Sequence, residues 1–395
     1  MNSEVALRKE AIRRSLDGES QASIGRVLGR SGRWVGYWLA RYNPDDLEGS
    51  LQDRSRAPRQ PHRKWPEAVR RRVLASRQRR QQADTPGYEH ALVGAEAIHY
   101  ELACLAAEPV PPPRTIHHWL YQAGLVATRQ RVVANRPSKP YPQPPCDQVN
   151  DLHQLDLKGP LYLQDSHQKH YLLAVRDVCS KGVTLAVALN KQAQTIAAFL
   201  VAAWQSRGLP QVLQMDNGLE FRGSNRHPRA FGRVVRLALD VGVEPLFIPP
   251  RQPWRNGVIE QFNGQAQRLL LARCRFNSTA ELQAGVASLQ AAVNSTHRLA
   301  ALDGRTPDEF IVEAPLVRLD PAYDGLQRDL QLVKGWVSFI RLVRPSGRIT
   351  LCADDVFDID PALQQQYVLA RVDIARQQLD VYSQGQLIKS FDFPF

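Results

Sequence analysis

Three acids, Asp156, Asp216 and Glu260, stand out by their contexts. Asp156 lies in the apolar-alternating run "QLDLKG", and Asp216 closes "VLQMD". Glu260 is the single acid in "PPRQPWRNGVIEQFNGQ", where an otherwise uncharged helix start follows a proline- and arginine-rich loop. Alone, each has an ordinary role: a strand-edge charge, the opening of an Asp-Asn-Gly turn, a side chain that complements a helix dipole. Together they allow more. If the strands of Asp156 and Asp216 are neighbours and the later helix lies across them, three carboxylates gather and repel one another unless cations bind. Oxygen-only ligands favour Mg²⁺ or Mn²⁺. Two such ions about 4 Å apart would activate a nucleophile and stabilise the leaving oxygen of a phosphodiester.

The surrounding residues fit that chemistry. Asn256 is the expected cap of the Glu260 helix, and Val258, Ile259, Phe262, Ala266 and Leu269 form its expected buried stripe. Gly264, Gln267 and Arg268 fall one and two turns beyond Glu260 on its own face. Arg251 and Arg255, in the loop before it, are candidate phosphate clamps. Among other acids, Asp177 is expected to order a turn and Glu220 to support the loop after Asp216. His167 and His170, near Cys179, are expected to be exposed on a hairpin turn and to bind no zinc.

Positioning those acids requires an α/β layer. "LHQLDLKGPLYL", "KHYLLAVRDV" and "GVTLAVAL" read as three antiparallel strands. The helical run "KQAQTIAAFLVAAWQSRG" and the strand "PQVLQMD" follow, then a helix near 227–241, the strand "VEPLFI", and helices over about 256–272 and 279–297. This is a mixed α/β domain over residues 150–315. From about residue 330 to 395 the pattern changes to short β-type runs, including "GWVSFIRLV", "QYVLARVDI" and "QLIKSFDF", which suggest a small barrel-like or compact β domain.

The first third is helical. Val5, Ile12 and Leu16 share a stripe of a helix that ends at Gly18. Ser20 can cap a short helix through Leu28, "GRSG" makes a turn, and Ser31 can cap a third helix that buries Trp34, Val35, Trp38, Leu39 and Tyr42. Over residues 1–50 this is a helix-turn-helix pattern, with Arg33, Tyr37 and Arg41 as outward DNA contacts. The basic linker over 51–65 adds Arg54 and Arg56. A second helix-turn-helix or winged-helix-like unit spans 66–133, where "RTIHHWLYQAGLV" turns Ile116, Trp119 and Leu120 inward and presents Arg114, His117, His118 and Gln122. A proline-rich spacer at 134–149 separates it from the α/β domain.

Composition agrees with a polyanion partner. The net charge is +12, and residues 1–150 carry 24 Lys/Arg against 15 Asp/Glu. Residues 316–395 reverse that balance, with 9 against 10. A basic first third suits nucleic acid, although charge alone also describes a solvated surface. Five scattered cysteines suggest reduced thiols in a cytosol. The start of the chain lacks a signal-peptide apolar core, and no apolar run is long enough to span a bilayer, so no membrane partner is expected.

"LDLKG", "MDNGLEF" and "IPPRQPWRNGVIEQFN" resemble the three acidic motifs of bacterial insertion-sequence DDE transposases with a retroviral-integrase-like, ribonuclease-H-like core. Tandem helix-turn-helix units, "DRSRAP", "ALDGRTPDEF" and the β-rich tail extend the similarity along most of the chain. The resemblance implies that Asp156, Asp216 and Glu260 are the catalytic, metal-holding residues, with two Mg²⁺ ions or Mn²⁺ as substitute. It implies binding to terminal inverted repeats, 3′-end cleavage and strand transfer into target double-stranded DNA. A homo-oligomer in the synaptic complex and a bacterial cytoplasmic, nucleoid-associated location follow from the same likeness. Two features depart from the pattern. The 43 residues between Asp216 and Glu260 exceed the family's usual spacing, with the excess assigned to "RGSNRHPRAFGR", and the zinc-binding His/Cys module of retroviral integrases is missing. The alternatives are a DNA-binding regulator with an inactive integrase-like core, and a ribonuclease-H-like nuclease acting on hybrids or junctions.

Overall fold

The computed structural model describes residues 3–53, 65–82, 85–105, 110–126, 139–164, 166–352 and 355–395. Arg54 and Arg56 lie outside these residues, as do most of the expected 51–65 linker and residues 134–138 of the expected proline-rich spacer. The chain divides into two compact units, residues 1–65 and 66–395.

In the first unit, α1 (Ser3–Leu16), α2 (Gln21–Leu28) and α3 (Gly32–Arg41) pack around Ala11, Ile24 and Val35, and a short α4 (Leu47–Ser50) follows. Ser20 caps α2 by accepting from the Ser23 amide, and Ser31 caps α3 by accepting from the Trp34 amide at 3.2 Å. The turn is tight because Gly25 lets the chain pass close. A Cβ there would stand 2.6 Å from the Arg30 carbonyl oxygen. The expected α1 stripe needs correction: Leu16 is 71% exposed, and Ala11 and the aliphatic part of Arg8 are buried instead. Arg8 stacks on Trp38, donates to the Leu51 carbonyl at 2.8 Å and pairs with Asp53. A cation occupies this core position because its stem is apolar and its head finds partners.

The second unit opens with α5 (Glu67–Gln81), α6 (Ala95–Cys104) and α7 (Pro113–Gln122), which close on Val73, Ile98, Leu102, Ile116 and Leu120. Two α5 arginines turn inward. Arg80 pairs with Glu101 at 2.5 Å, and Arg77 donates to the Leu125 and Val93 carbonyls.

The sheet strands follow: β1 (Leu152–Leu161), β2 (His170–Asp177), β3 (Val183–Ala188), β4 (Val212–Met215) and β5 (Glu244–Phe247). Between and after them lie α8 (Ala193–Arg207), α9 (Leu219–Arg222), α10 (Arg233–Asp240), α11 (Gly257–Ala266), α12 (Thr279–Ser295) and α13 (Pro307–Ile311). The tail adds β6 (Trp336–Leu342), β7 (Arg348–Thr350), β8 (Val356–Asp358), β9 (Tyr367–Asp373), β10 (Gln378–Ser383) and β11 (Gln386–Asp392). α11 runs on into a π turn over Gln267–Leu271.

Among the described residues the tail closes no barrel. β6 pairs in parallel with β5 through Leu246–Ser338 and Phe247–Phe339, so one open nine-stranded sheet runs β11-β10-β9-β6-β5-β4-β1-β2-β3. Its core explains the continuity. Leu155, Met215 and Phe247 join Phe339, Val372, Leu379 and Phe393 in one apolar layer under α8 and α10. β9 and β10 bury one face by strict alternation, and that face extends an existing layer, while β6 is buried on both faces between β5 and β9. The opposite face of β1–β3 carries α11 and α12 through Leu172, Ala174, Ile259, Phe262 and Leu289.

Candidate active site

The β1/β4 register places two of the three acids. These strands pair in parallel as Leu152–Val212, His153–Leu213 and Gln154–Gln214. Continued by two residues, the same offset sets Asp156 beside Asp216, which directly follows β4. Strand periodicity puts Gln154, Asp156, Gln214 and Asp216 on one face. That face belongs to α11, because Asp156 pairs with Ala174, whose side chain packs in the α11/α12 core.

α11 is fastened to the strands by amide side chains. Gln154 Oε1 accepts from the Val258 and Ile259 amides at 3.0 and 2.9 Å, so a strand residue caps the helix. Asn256 has no side-chain capping bond. It donates to the Leu155 carbonyl at 3.1 Å and accepts from Gln214, which corrects the expected local cap. A buried strand amide can replace a local cap because the first-turn N–H groups need an acceptor and do not distinguish its source. One turn beyond Glu260, Asn263 donates to Asp156. Gln154, Gln214 and Asn263 were absent from the sequence reading. Their signal was the repeated Gln-X-Asp of "QLD" and "QMD", which puts each glutamine on its aspartate's face.

Electrostatics tie the acids into a row. Burial raises the Asp156 pKa above the ordinary carboxylate value, and Asp216 raises it further. Glu260 is raised by burial and then by Asp156. Asp216 is raised by burial and by Glu220, while it accepts the Gly218 amide at 2.8 Å. Asp156 is therefore the middle member, facing an acid on either side. Among the described residues, no three His, Cys, Asp or Glu side chains form a group close enough to hold a metal ion. The three carboxylates expected to gather thus form a more open row among the described residues, as repulsion among like charges favours. The donor chemistry still fits a hard divalent cation: carboxylate oxygens whose raised pKa values disfavour shared ionisation. Asn263 Oδ1, beside Asp156, is buried without a hydrogen-bond partner.

The tail reaches this site directly. Arg341 of β6 is 2% exposed and donates to Asn217 Oδ1 at 2.7 Å. Its other donors meet the carbonyls of Ile248, Thr350 and Leu351. Burial lowers its pKa to about 10, so it is cationic at neutral pH. Asn217 in turn donates to the Ile248 carbonyl, fixing the turn that follows Asp216. The long segment after Asp216 also docks on the tail. Gly223 and Gly232 pinch its base, Arg229 pairs with Asp355 at 2.9 Å and stacks on Phe393, and Phe231 packs on Phe339.

The expected DNA contacts divide. Arg33, Tyr37, Arg114, His118, Arg251, Gln267 and Arg268 are exposed. Arg251 has a φ of +61°, a strained conformation for a residue with a side chain. Arg41 points inward. It stacks on Trp38 and donates to the Gln52 carbonyl at 2.9 Å, because the aromatic face and a bare carbonyl lie within its reach. Arg255 is also a strut: it lies between the rings of Tyr141 and Tyr367, at 3.9 and 4.8 Å, and joins the spacer and the tail to the loop before α11. His170 is buried, contrary to expectation, and bonds Thr279 at 2.9 Å, while His167 is exposed. Asp177 does order its turn, accepting from the Ser180 and Asn150 amides.

Residues 241–307 match the family described as Integrase core domain, and residues 2–51 match Homeodomain-like domain. An insertion element IS407 uncharacterized 31.7 kDa protein of Burkholderia multivorans is 26% identical over 225 residues, covering 56% of this chain and 73% of that protein. Among solved structures, the HTLV-2 integrase catalytic core domain in complex with magnesium is 17% identical, covering 41% of this chain and 97% of its own, with a TM-score of 0.33. A simian T-cell lymphotropic virus intasome in complex with PP2A regulatory subunit B56 gamma is 14% identical, covering 58% and 80%, with a TM-score of 0.35. No helix among the described residues is long and apolar enough to cross a membrane.

Proposed function

We propose that this chain, which carries an integrase core domain and a homeodomain-like domain, is a DDE-type DNA transposase. The helical units bind the terminal inverted repeats of its element, and the core cleaves the 3′ end and joins it to target DNA. The observation that carries this reading is the β1/β4 register, which sets Asp156 beside Asp216 on the face crossed by the Glu260 helix.

Asp156, Asp216 and Glu260 are the residues that would hold Mg²⁺, or Mn²⁺ in its place, as two ions. When bound, such ions supply Lewis-acid stabilisation of the phosphoryl oxygens and ease deprotonation of the attacking oxygen. Asn263 orients the Asp156 carboxylate, and Gln154 holds the start of α11, which keeps Glu260 in place over the strands. In cleavage, a water oxygen bonds to phosphorus, and the bond from phosphorus to the 3′ oxygen breaks with a proton transferred to that oxygen. In joining, the freed 3′-hydroxyl attacks a target phosphodiester, forming one P–O bond as another breaks, with no covalent enzyme intermediate. Bringing two ends together calls for at least two copies, and we place the protein in the bacterial cytoplasm at the nucleoid.

The test uses purified protein, end-labelled element DNA and Mg²⁺ or Mn²⁺. Joined strands are expected. Asp156→Asn, Asp216→Asn and Glu260→Gln should each abolish cleavage and joining while DNA binding persists. Strand transfer by Glu260→Gln would remove that residue from its role. The open row of acids gives some weight to a second reading, a DNA-binding regulator with an inactive core, for which the same assay yields binding and no product.

A further inference from the structure

The proposed reaction accounts for the acids but not for a groove of about 570 Å³ further along the same two elements. Its floor includes Leu163, Leu271 and Phe276, and its rim includes Tyr162, Gln267 and Arg275. Tyr162 lies just past the end of β1 and is 57% exposed. Gln267 opens the π turn that extends α11, the kind of helix irregularity that recurs at functional sites. The walls are tied together where the Gln164 amide donates to the Phe276 carbonyl at 2.9 Å.

Charge marks the groove further. Between Glu260 and Glu281 the chain has no acid and three arginines, Arg268, Arg273 and Arg275. All three are exposed, and none has a carboxylate within ion-pair distance among the described residues. Elsewhere in this unit arginines are commonly paired, as Arg80, Arg207, Arg229 and Arg328 are. Of the three, Arg275 lines the groove, and an apolar floor with an exposed phenol, amide groups and a guanidinium without a carboxylate partner has the chemistry that receives a planar heterocycle attached to phosphate.

We infer that this groove receives an unstacked nucleotide of the DNA strand held at the acids. The base lies on the apolar floor against Tyr162, Gln267 meets its polar edge, and Arg275 meets its phosphate. The position follows from the helix. Gln267 is seven residues past Glu260, about 10 Å along α11. At about 3.4 Å per nucleotide, that is about three nucleotides from the reacting phosphate. The inference rests on the transposase reading for the identity of the strand, but binding can be measured without catalysis.

The experiment uses the full chain in chelator with a short single-stranded oligodeoxynucleotide carrying one 5-iododeoxyuridine or one 2-aminopurine. Near-ultraviolet cross-linking should map to Tyr162, and the 2-aminopurine should be quenched on binding. Tyr162→Ala should remove both signals and weaken binding about tenfold, whereas Tyr162→Phe should keep them. Arg275→Ala should reduce the salt slope of binding by about 0.7. Both residues are exposed, so their thermal midpoints should match the parent chain. Cross-links that map elsewhere, or full-strength binding by Tyr162→Ala, would overturn the inference. Asp156→Asn serves as the control for the other proposal. Cross-linking at Tyr162 without strand joining by the parent chain sustains the groove and removes the transposase reading; joining with cross-links elsewhere removes the groove alone.

Discussion

Gln154→Met tests the claim that a strand side chain holds the helix of Glu260. The substitution keeps the length and burial of a 4% exposed side chain and removes its acceptor. Two helix N–H groups, of Val258 and Ile259, then lose partners at 3.0 and 2.9 Å inside the protein. Each unsatisfied buried donor costs about 1–3 kcal/mol, and relaxation toward solvent recovers part, so about 2–4 kcal/mol is expected. At about 1.4 kcal/mol per tenfold, amide exchange across 257–263 should accelerate about 30- to 1,000-fold. Hydrogen–deuterium exchange with peptide resolution is the assay, because a chain of two compact units does not unfold in a single step. Gln154→Glu keeps an acceptor at the positive helix end, so it should retain protection while adding a charge beside Asp156. Unchanged exchange in Gln154→Met would refute the argument, since the bonds would then contribute nothing to the helix.

Asp156→Asn removes the middle charge of the row, so it should raise the thermal midpoint in chelator while abolishing strand joining; a lower midpoint would contradict mutual repulsion. Because Asp156, Asp216 and Glu260 have pKa values raised by folding, their ionisation opposes the folded state. Their contribution to stability is fully present below the unfolded carboxyl values and is lost as pH rises through the raised folded values, while strand joining should increase across the same acid range; paired denaturation and activity profiles check both signs. Arg341→Met strips donors from Asn217 and several carbonyls and should cost on the order of 3 kcal/mol, with Arg341→Lys recovering only part because an ammonium has fewer donors. Exchange in the peptide containing Asn217 reports it, and Arg341→Met with unaltered exchange there would discount the bond. Mn²⁺ should raise the thermal midpoint of the parent chain but not that of Asp156→Asn, measured by scanning fluorimetry.

What the sequence revealed follows from which interactions are local. The caps at Ser20 and Ser31 and the alternation in β9 and β10 depend on neighbours within a few residues, so their patterns could be read directly. Glu260 was legible because its helix start has an unusual composition. The continuity of the tail with the sheet was not. A strand that joins an existing edge and one that closes a barrel show the same alternation, and only the long-range pairing of β5 with β6 decides between them. Arg41 and Arg255 resembled outward readers because their partners, Gln52, Tyr141 and Tyr367, are remote in sequence or fall in segments with no periodicity. Buried polar residues such as Gln154 and Arg341 are the hardest to foresee, since an isolated glutamine or arginine signals exposure by default.

The bond from Arg341 to Asn217 has a consequence for how the protein comes into being at the ribosome. Every acid of the row has been translated by residue 260, yet the turn holding Asp216 gains its guanidinium brace only after 81 more residues have been added. A nascent chain, or a product cut short by a premature stop between residues 260 and 341, carries its N-terminal helical units and all three acids without that brace. Under the proposed transposase function, such fragments should occupy DNA without cutting it, so truncated translation products would compete with the complete protein and restrain it.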